Sequence, residues 1–357
     1  MNALGLDIGG ANTKAAFIKT TNGYIHEVKT VVEYFPIWKN PNKLDAVLSE
    51  LKNRIAGSCG FDIVSVTMTA ELSDAYQTKR EGVNQILTQV MQVFLDTQLL
   101  VLDVNATLKS IAEARAEPLK VAAANWVATG WMVAQFISNC IIIDTGSTST
   151  SIIPIINGQI SAAGKTDLEK LVNGELVYTG SLRTNVATIV NAIPLKCGIS
   201  RVSSELFAQS GDVHLVLGHL APREYTVETP DGRGTTKKDA FARLARVVCA
   251  DTEILTEQEL IDAATYIYNR QIEQIADGLK QVYSRIKPNI KTNLKIVVAG
   301  LGKNFLAKKA AELCGFSEII DLNEILKSDV AIASPAVGVA LMAISKVEGT
   351  VPRWMQQ

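Results

Sequence analysis

The sequence predicts a mixed α/β chain assembled from two related halves, and three stretches carry that expectation. Leu4-Gly5-Leu6-Asp7-Ile8-Gly9-Gly10-Ala11-Asn12-Thr13-Lys14 runs from an apolar strand through Asp-x-Gly-Gly into amide, hydroxyl and cationic side chains. Cys140-Ile141-Ile142-Ile143-Asp144-Thr145-Gly146-Ser147-Thr148-Ser149-Thr150 repeats the pattern and returns as the apolar strand Ser151–Ile156. Leu294-Lys295-Ile296-Val297-Val298-Ala299-Gly300-Leu301-Gly302-Lys303-Asn304 ends a strand in a glycine turn that leads into a helix, a common way to seat a nucleotide or phosphate. Two hairpins of one kind in a single chain point to a pair of halves facing each other.

Each hairpin has the makings of a phosphate site. Asp7 falls at a strand end, where a carboxylate holds a hydrated divalent cation, and Gly9 and Gly10 let backbone N–H groups close on an anion. Asn12, Thr13 and Lys14 add side-chain donors and one cation. Asp144, followed by Gly146, Ser147 and Thr148, repeats the arrangement. One Asp-x-Gly-Gly alone is as well explained by a hairpin turn with a surface lysine; the second copy favours phosphate. The three stretches resemble the first phosphate loop, the second phosphate loop and the adenosine loop of the sugar kinase, Hsp70 and actin superfamily. That resemblance implies a two-domain actin-like ATPase (ribonuclease H-like) fold with a phosphate-binding interdomain cleft.

A chain of 357 residues has room for two domains with their own cores. The expected division is 1–136 for an N-terminal domain and 137–357 for a C-terminal one, with a β insertion over 160–240 and the last helix, 334–346, packing back on the first domain. A formal net charge of -1 with 20% charged residues lacks the basic excess that drives nucleic-acid or membrane binding. The apolar stretch 122–137 is interrupted by Asn125, Thr129 and Gln135 and does not span a bilayer. The N-terminus reads as strand and loop, not as a leader, so a cytoplasmic protein acting on small molecules is expected, and a homo-oligomer is compatible with it. Cys59, Cys140, Cys197, Cys249 and Cys314 are scattered without a Cys-x-x-Cys pair, and the three histidines lack ligand spacing with them, so buried reduced thiols are expected and not zinc or disulfides. His214 and His219 read as strand and turn, with their rings pointing apart.

Along the chain, Asn22-Gly23 turns a hairpin between Ala15–Ile18 and Tyr24–Val32. A helix begins at Asn40-Pro41, with Leu44, Val47, Leu48, Leu51 and Ile55 on one face and Gly57 closing it. The strand Phe61–Thr69 runs into a polar segment that places Glu71 at a strand's carboxyl end, where catalytic groups usually sit. After an amphipathic helix from Glu81, the strand Leu99–Val104 brings Asp103 and Asn105 to the same side. Pro118–Ile137 reads as one helix, apolar nearly all round, with Trp126 and Trp131 packing and not stacking on a ligand. Gly164–Thr184 has little periodicity and reads as short strands and loops that line a substrate pocket. Pro230–Lys238 is a candidate lid from which Arg233 and Lys237 reach a phosphate, and Arg243 and Arg246 follow on adjacent turns of a short helix. Thr256, with Glu259 three residues later, caps a long helix to about Ile286, and small residues from Ser334 to Ala343 allow the last helix a close approach.

Seven segments in order are similar to a hydantoinase/oxoprolinase-related family tied to tetrahydromethanopterin-linked one-carbon metabolism: Asp7–Lys14, Thr67–Asp74, Ala123–Trp126, Asp144–Thr148, Gly174–Gly180, Asp231–Gly234 and Arg243–Arg246. The similarity spans most of the chain. It implies a transferase of methanofuran (or methanofuran-analogue) biosynthesis that joins an aminomethylfuran-methyl diphosphate to the phenol of γ-glutamyltyramine or a tyrosine-type acceptor, releasing diphosphate. Asp7 and Asp144 are then candidates to hold Mg2+. Gly9, Gly10, Asn12, Thr13, Lys14, Gly146, Ser147, Thr148, Gly300, Gly302 and Arg233 are candidates for the diphosphate or a nucleotide. Glu71 is the first choice for base or substrate orientation and Asp103 the second. The same loops suit attack on a γ-phosphorus, so an ATP-dependent small-molecule kinase or ATPase stays open, as does a nucleotide-binding sensor or assembly protein.

Overall fold

The computed structural model describes residues 1–56, 60–290, 294–326 and 328–354. In chain order the elements begin with β1 (Asn2–Ile8), β2 (Asn12–Thr21), β3 (Tyr24–Tyr34), α1 (Leu44–Ala56), β4 (Ile63–Met68), α2 (Lys79–Val93), β5 (Gln98–Leu102), β6 (Leu108–Ser110), α3 (Ile111–Ala116), α4 (Pro118–Val121) and α5 (Asn125–Ala134). They continue with β7 (Cys140–Thr145), β8 (Thr150–Ile156), β9 (Gln159–Ile160), α6 (Asp167–Val172), β10 (Leu176–Val177), α7 (Val186–Ile189), β11 (Ala192–Leu195), β12 (Gly198–Arg201), α8 (Ser210–Leu217), α9 (Lys237–Arg246) and α10 (Glu257–Ile286). The chain closes with β13 (Lys295–Ala299), α11 (Lys308–Leu313), β14 (Ile319–Asp321), α12 (Leu322–Ile325), α13 (Ser328–Ile332), α14 (Ser334–Glu348) and β15 (Arg353–Trp354). This is the mixed α/β class expected. Gly57, which was expected to close α1, and Cys59 lie outside the described residues. Among the described residues no helix is long and apolar enough to cross a membrane.

The chain divides into two compact units, of which the first holds Met1–Asn139, Ile155–Glu169 and Asn323–Gln357. Its seven-stranded sheet has the order β15-β3-β2-β1-β4-β5-β6, with β1 antiparallel to β2 and parallel to β4. Alternation sorts the two faces of the central strands. Leu4, Leu6, Ile8, Val64, Val66 and Met68 join the core cluster that includes Leu44 and Leu48 of α1 and Val83, Ile86 and Val90 of α2. Ala3, Gly5 and Ser65 take the opposite face, against α14. A Cβ on Gly5 would stand 1.9 Å from the Ala336 carbonyl oxygen, and the Ser65 hydroxyl donates to the Val339 carbonyl at 2.9 Å. Gly338 on α14 also packs against backbone: a Cβ there would stand 2.4 Å from the Ala128 carbonyl oxygen of α5. Small residues therefore put α14 at backbone contact with the sheet.

The second unit holds Cys140–Pro154 and Lys170–Leu322. Its strands run β10-β8-β7-β13-β14, with β7 and β14 both parallel to β13, and Asp144 is in register with Ala299. Parallel strands buried on both faces explain the continuous apolar runs Cys140–Ile143 and Ile296–Ala299. α10 starts at a capping box between Thr256 and Glu259, as expected, and buries Leu260, Ala264, Ile267, Ile275, Leu279, Val282 and Ile286 along one stripe.

Four expectations need correction. Pro118–Ile137 is two helices, α4 and α5, because Ala123 takes a left-handed backbone (φ 50°) that ends the first. A run of alanines carries no mark of that break. Gly164–Thr184 contains α6, started by a reciprocal cap in which the Thr166 hydroxyl accepts from the Glu169 N–H while the Glu169 carboxylate accepts from the Lys165 and Thr166 N–H groups. The Thr-x-x-Glu spacing is the signal in the sequence for this start. His214 lies on helix α8, not a strand, and left-handed Gly218 (φ 74°) turns the chain so that the His219 ring returns to 5.5 Å from it. Of the described cysteines Cys140 is buried, and burial pushes its thiol up to about 12, whereas Cys197 and Cys249 are exposed.

The β1–α14 contact predicts that Gly5→Ala lowers unfolding free energy by about 1–3 kcal/mol or more, since backbone and not a flexible side chain must yield. Urea denaturation of the variant and the parent checks it.

Candidate functional site

In the first unit the leading candidates lie where β1 and β4 end. Gly9 N–H donates to the Asn12 carbonyl at 3.0 Å, and a Cβ on Gly9 would sit 2.7 Å from that oxygen, so the turn is as tight as the sequence suggested. Asp7 is in register with Lys14 on β2 and Thr67 on β4, which puts the three side chains on one face of the sheet. Asp7 is buried, and Lys14 Nζ stands 3.6 Å from its Oδ2. The Thr67 hydroxyl beside it, and the Thr13 hydroxyl, are buried without a hydrogen-bond partner. Thr67 belongs to the segment Thr67–Asp74, but only its register with Asp7 marks it for this place.

Glu71 and Asp103 part company. Glu71 follows β4 in a turn clamped on α2, where a Cβ on Gly82 would come within 2.5 Å of the Glu71 carbonyl oxygen. Its side chain is 1% exposed, neither carboxylate oxygen has a hydrogen-bond partner, and the Lys79 ammonium stands 3.7 Å away. Burial lifts its pKa to about 7 against the pull of Lys79. Lys79 is in turn bonded to Asp167 at 2.5 Å. Asp103, by contrast, accepts the Asn105 and Thr107 N–H groups on Oδ1, both at 2.9 Å, and so shapes the β5–β6 turn. Sequence reasoning missed Lys79 and Asp167, which are 88 residues apart and carry no motif.

In the second unit the structure brings Asp144, Gly146, Ser147, Thr148, Gly300 and Gly302 together. A Cβ on Gly300, whose φ is 82°, would lie 2.3 Å from the Thr145 carbonyl oxygen and 2.6 Å from Asp144 Oδ1. Gly302 N–H donates to that Thr145 carbonyl at 2.9 Å. On the other side a strap over residues 180–183 grips the loop. Ser181 N–H donates to Gly146 O at 2.9 Å, Leu182 and Arg183 N–H both donate to Ser147 O at 3.0 Å, and Arg183 Nη1 donates to Thr148 Oγ1 at 3.4 Å. Gly180 admits this approach, since its Cβ would fall 2.6 Å from the Thr148 backbone.

The strap is supported from behind by α10. Gln271 Nε2 donates to Thr179 Oγ1 at 2.9 Å and to Gly180 O at 2.8 Å, so its Oε1 is left to accept from His214 Nε2 at 3.1 Å. That assigns the hydrogen of His214 to Nε2 and makes His219 Nδ1 the donor to His214 Nδ1 at 3.2 Å. Burial, helped by His219, drives the His214 pKa down to about 3, so the ring stays neutral.

Arg233 is not part of this cluster. It lines a cavity of about 400 Å3 with Asp231 and Arg246 but without Gly146, Ser147 or Thr148. The loop that carries it is tied down: Arg243, fully buried, donates from Nε to Asp212 at 2.8 Å and from Nη1 to Asp231 at 3.1 Å, and Arg246 reaches Asp231 at 2.9 Å. Lys237 opens α9, its Nζ 5.5 Å from the Phe241 ring centroid.

Among the described residues no three or more His, Cys, Asp or Glu side chains are grouped as a metal cage. One carboxylate per loop beside hydroxyl and backbone donors is the kind of set that suits Mg2+, which keeps several waters and takes one or two carboxylates together with phosphate oxygens. The unpartnered Thr67 hydroxyl in register with Asp7 fits that set.

The profile of the hydantoinase/oxoprolinase family matches residues 62–346. The chain is 39% identical over 338 residues to the (4-{4-[2-(gamma-L-glutamylamino)ethyl]phenoxymethyl}furan-2-yl)methanamine synthase of Methanocaldococcus jannaschii, covering 94% of this chain and 96% of that protein. It is 38% identical over 228 residues to the synthase of the same name from Methanococcus vannielii, covering 62% of this chain and 100% of that protein. Among solved structures, the nucleotide-free form of acetone carboxylase, an ATP-dependent enzyme, is similar with a TM-score of 0.55 at 11% identity, covering 96% of this chain and 70% of that one. That likeness concerns the fold alone.

Two variants test the supports. Gly300→Ala places a side chain in a left-handed conformation and against two oxygens, and is expected to cost about 2 kcal/mol or more. Arg243→Met takes the counter-ion from buried Asp212, while Asp231 keeps Arg246, and is expected to cost about 3–5 kcal/mol. Chemical denaturation with a spectroscopic probe measures both.

Proposed function

Because the chain belongs to the hydantoinase/oxoprolinase family, we propose that it is a transferase which joins a furan-methyl diphosphate to the phenol of γ-glutamyltyramine, or a tyrosine-type acceptor, in the making of methanofuran or an analogue. The carrying observation is the extent of the similarity to the Methanocaldococcus synthase, which runs through nearly the whole of both chains. That relative is named for a product in which a furan and a γ-glutamylaminoethyl-substituted benzene are joined by a phenoxymethyl link. The link is an aryl ether, so the reaction forms a bond between the phenolic oxygen and the methylene carbon and breaks the bond from that carbon to diphosphate oxygen. The phenolic proton passes to a base and the electron pair leaves with the diphosphate.

The side chains suit these tasks. Lys14 and the tight turns at Gly9 and Gly146 offer positive charge and N–H groups to the departing diphosphate, the task for which preorganised donors are most effective. Asp7 and Asp144 would hold Mg2+ through water, and the ion when bound would neutralise charge on the leaving group. An electron-rich furan spreads positive charge at its methylene carbon, which favours departure before or with attack. Glu71 takes the phenolic proton: a buried carboxylate whose pKa stands at about 7 is a stronger base than an exposed one and is still ionised in part at neutral pH. Asn12, Ser147 and Thr148 add donors, whereas Thr13, in register with Ile8 and so on the core face, does not. The reaction runs in the cytoplasm.

Asp7→Ala and Asp144→Ala are each expected to lower diphosphate release, assayed with a furan-methyl diphosphate, a phenolic acceptor and Mg2+, by about a hundredfold or more. Undiminished turnover in both would remove the loops from the mechanism, and acceptor-dependent formation of ADP from ATP would make the protein a kinase instead. The pH profile follows from Glu71. Below its pKa the group is protonated and cannot accept, so kcat/KM rises about tenfold per pH unit and levels above pH ~7. Glu71→Gln should lower the rate about 10^2–10^4-fold and abolish that limb; an unchanged limb would assign it to another group.

A further inference from the structure

We infer that a cavity in the first unit, at the β5–β6 turn and α5, binds the carboxylate-bearing amino-acid end of the phenolic acceptor, with Lys165 as counter-ion and Trp131 as apolar wall. This rests on the proposed acceptor and names its subsite. The cavity encloses about 350 Å3, enough for a small organic molecule. Its lining brings together one cation, Lys165, three amide side chains, Asn105, Gln135 and Gln159, and the half-buried indole of Trp131. Among the described residues no Asp or Glu side chain lines it. A concave site with a cation and no carboxylate attracts an anion and gives an isolated ammonium no counter-ion. Of the two proposed substrates, the furan brings an ammonium at one end and, at the other, a diphosphate already assigned to the Asp7 and Asp144 loops, none of whose residues line this cavity; γ-glutamyltyramine and tyrosine-type acceptors bring a carboxylate.

The local bonding leaves the polar groups suited to that ligand. Lys165 Nζ donates one hydrogen bond to the Val104 carbonyl, at 3.3 Å, which holds the ammonium at the cavity wall and leaves two of its three N–H groups for a carboxylate. The acidic neighbours along the chain are engaged elsewhere: Glu169 accepts the Lys165 and Thr166 N–H groups at 2.8 and 3.0 Å, and Asp167 bonds Lys79 at 2.5 Å. Gln135 Nε2 is spent on the Trp131 carbonyl at 2.9 Å, so its Oε1 is available to accept from an α-ammonium. The same short segment presents Lys165 to the cavity and Asp167 to Lys79, which stands 3.7 Å from Glu71. An acceptor held by its amino-acid end on this segment therefore stays near the element that carries the proposed base.

The test is calorimetric titration of the full chain with γ-glutamyltyramine and with tyramine, which has the phenol but no carboxylate. The parent protein is expected to bind γ-glutamyltyramine at least about tenfold tighter, an amount equal to about 1.4 kcal/mol. Lys165→Ala should bring the affinity ratio to within about twofold of one, and Lys165→Arg, which restores the charge, should keep most of it. No preference in the parent, or a ratio that survives Lys165→Ala, overturns the inference. The outcome is separable from the reaction itself. A Lys165-dependent ratio without diphosphate release keeps the cavity as a carboxylate subsite and discards the transferase. Diphosphate release with a ratio indifferent to Lys165 does the reverse.

Discussion

Backbone touching backbone at glycine is the constraint on which both loop clusters depend. At Gly5 the central strand of the first unit lies so close to α14 that any Cβ would overlap the Ala336 carbonyl oxygen. The approach seats α14 along β1 and β4 and settles which face of the sheet receives Gly5, Ser65 and, one step further along their strands, Asp7 and Thr67. A wider gap at that point would loosen the wall beside the carboxylate. In the second unit Gly180 and Gly300 do the corresponding work, one under the strap and one against Thr145. A glycine turn after a strand suggests a nucleotide, but at Gly300 and Gly302 close packing on the Asp144 loop is itself a sufficient reason for glycine.

Electrostatics supplies the second theme, and its sign differs between sites. Glu71 is buried with a cation near but not bonded to it, so desolvation outweighs attraction and the carboxyl group becomes basic. Arg243 is buried as deeply, yet it is bonded to Asp212 and Asp231, so its charge is spent holding the loop from Thr229 to Gly234. His214 is neutral and serves as a hydrogen-bonded spacer between His219 and Gln271. One group is left reactive and the others are quenched by partners. In these three groups, that difference separates a candidate for chemistry from a structural support.

Legibility followed the range of the interaction. The strand-turn patterns at Asp7 and Asp144 were plain because apolar alternation, glycine and hydroxyl residues are written within a dozen positions. The Thr256 cap of α10 was readable for the same reason, and the Thr166 cap of α6 would have been. The break at Ala123 was not, because alanine is at home in a helix and its left-handed backbone there is one that an L-residue rarely adopts. The placement of His219 beside His214 needed the path of the chain after Gly218, and the role of Asp103 needed the positions of two backbone N–H groups.

By itself the sequence determined the α/β class, the two aspartate-tipped hairpins and the family, since each is a matter of local residue order. Tertiary structure alone decided that Glu71 is basic, that Asp103 is occupied by its own loop, and that Lys79, Asp167 and Lys165 belong to one neighbourhood. Proton affinity depends on how completely water is excluded and on which charges stand within a few ångströms. Those distances join residues far apart in the chain, and no short stretch of sequence encodes them.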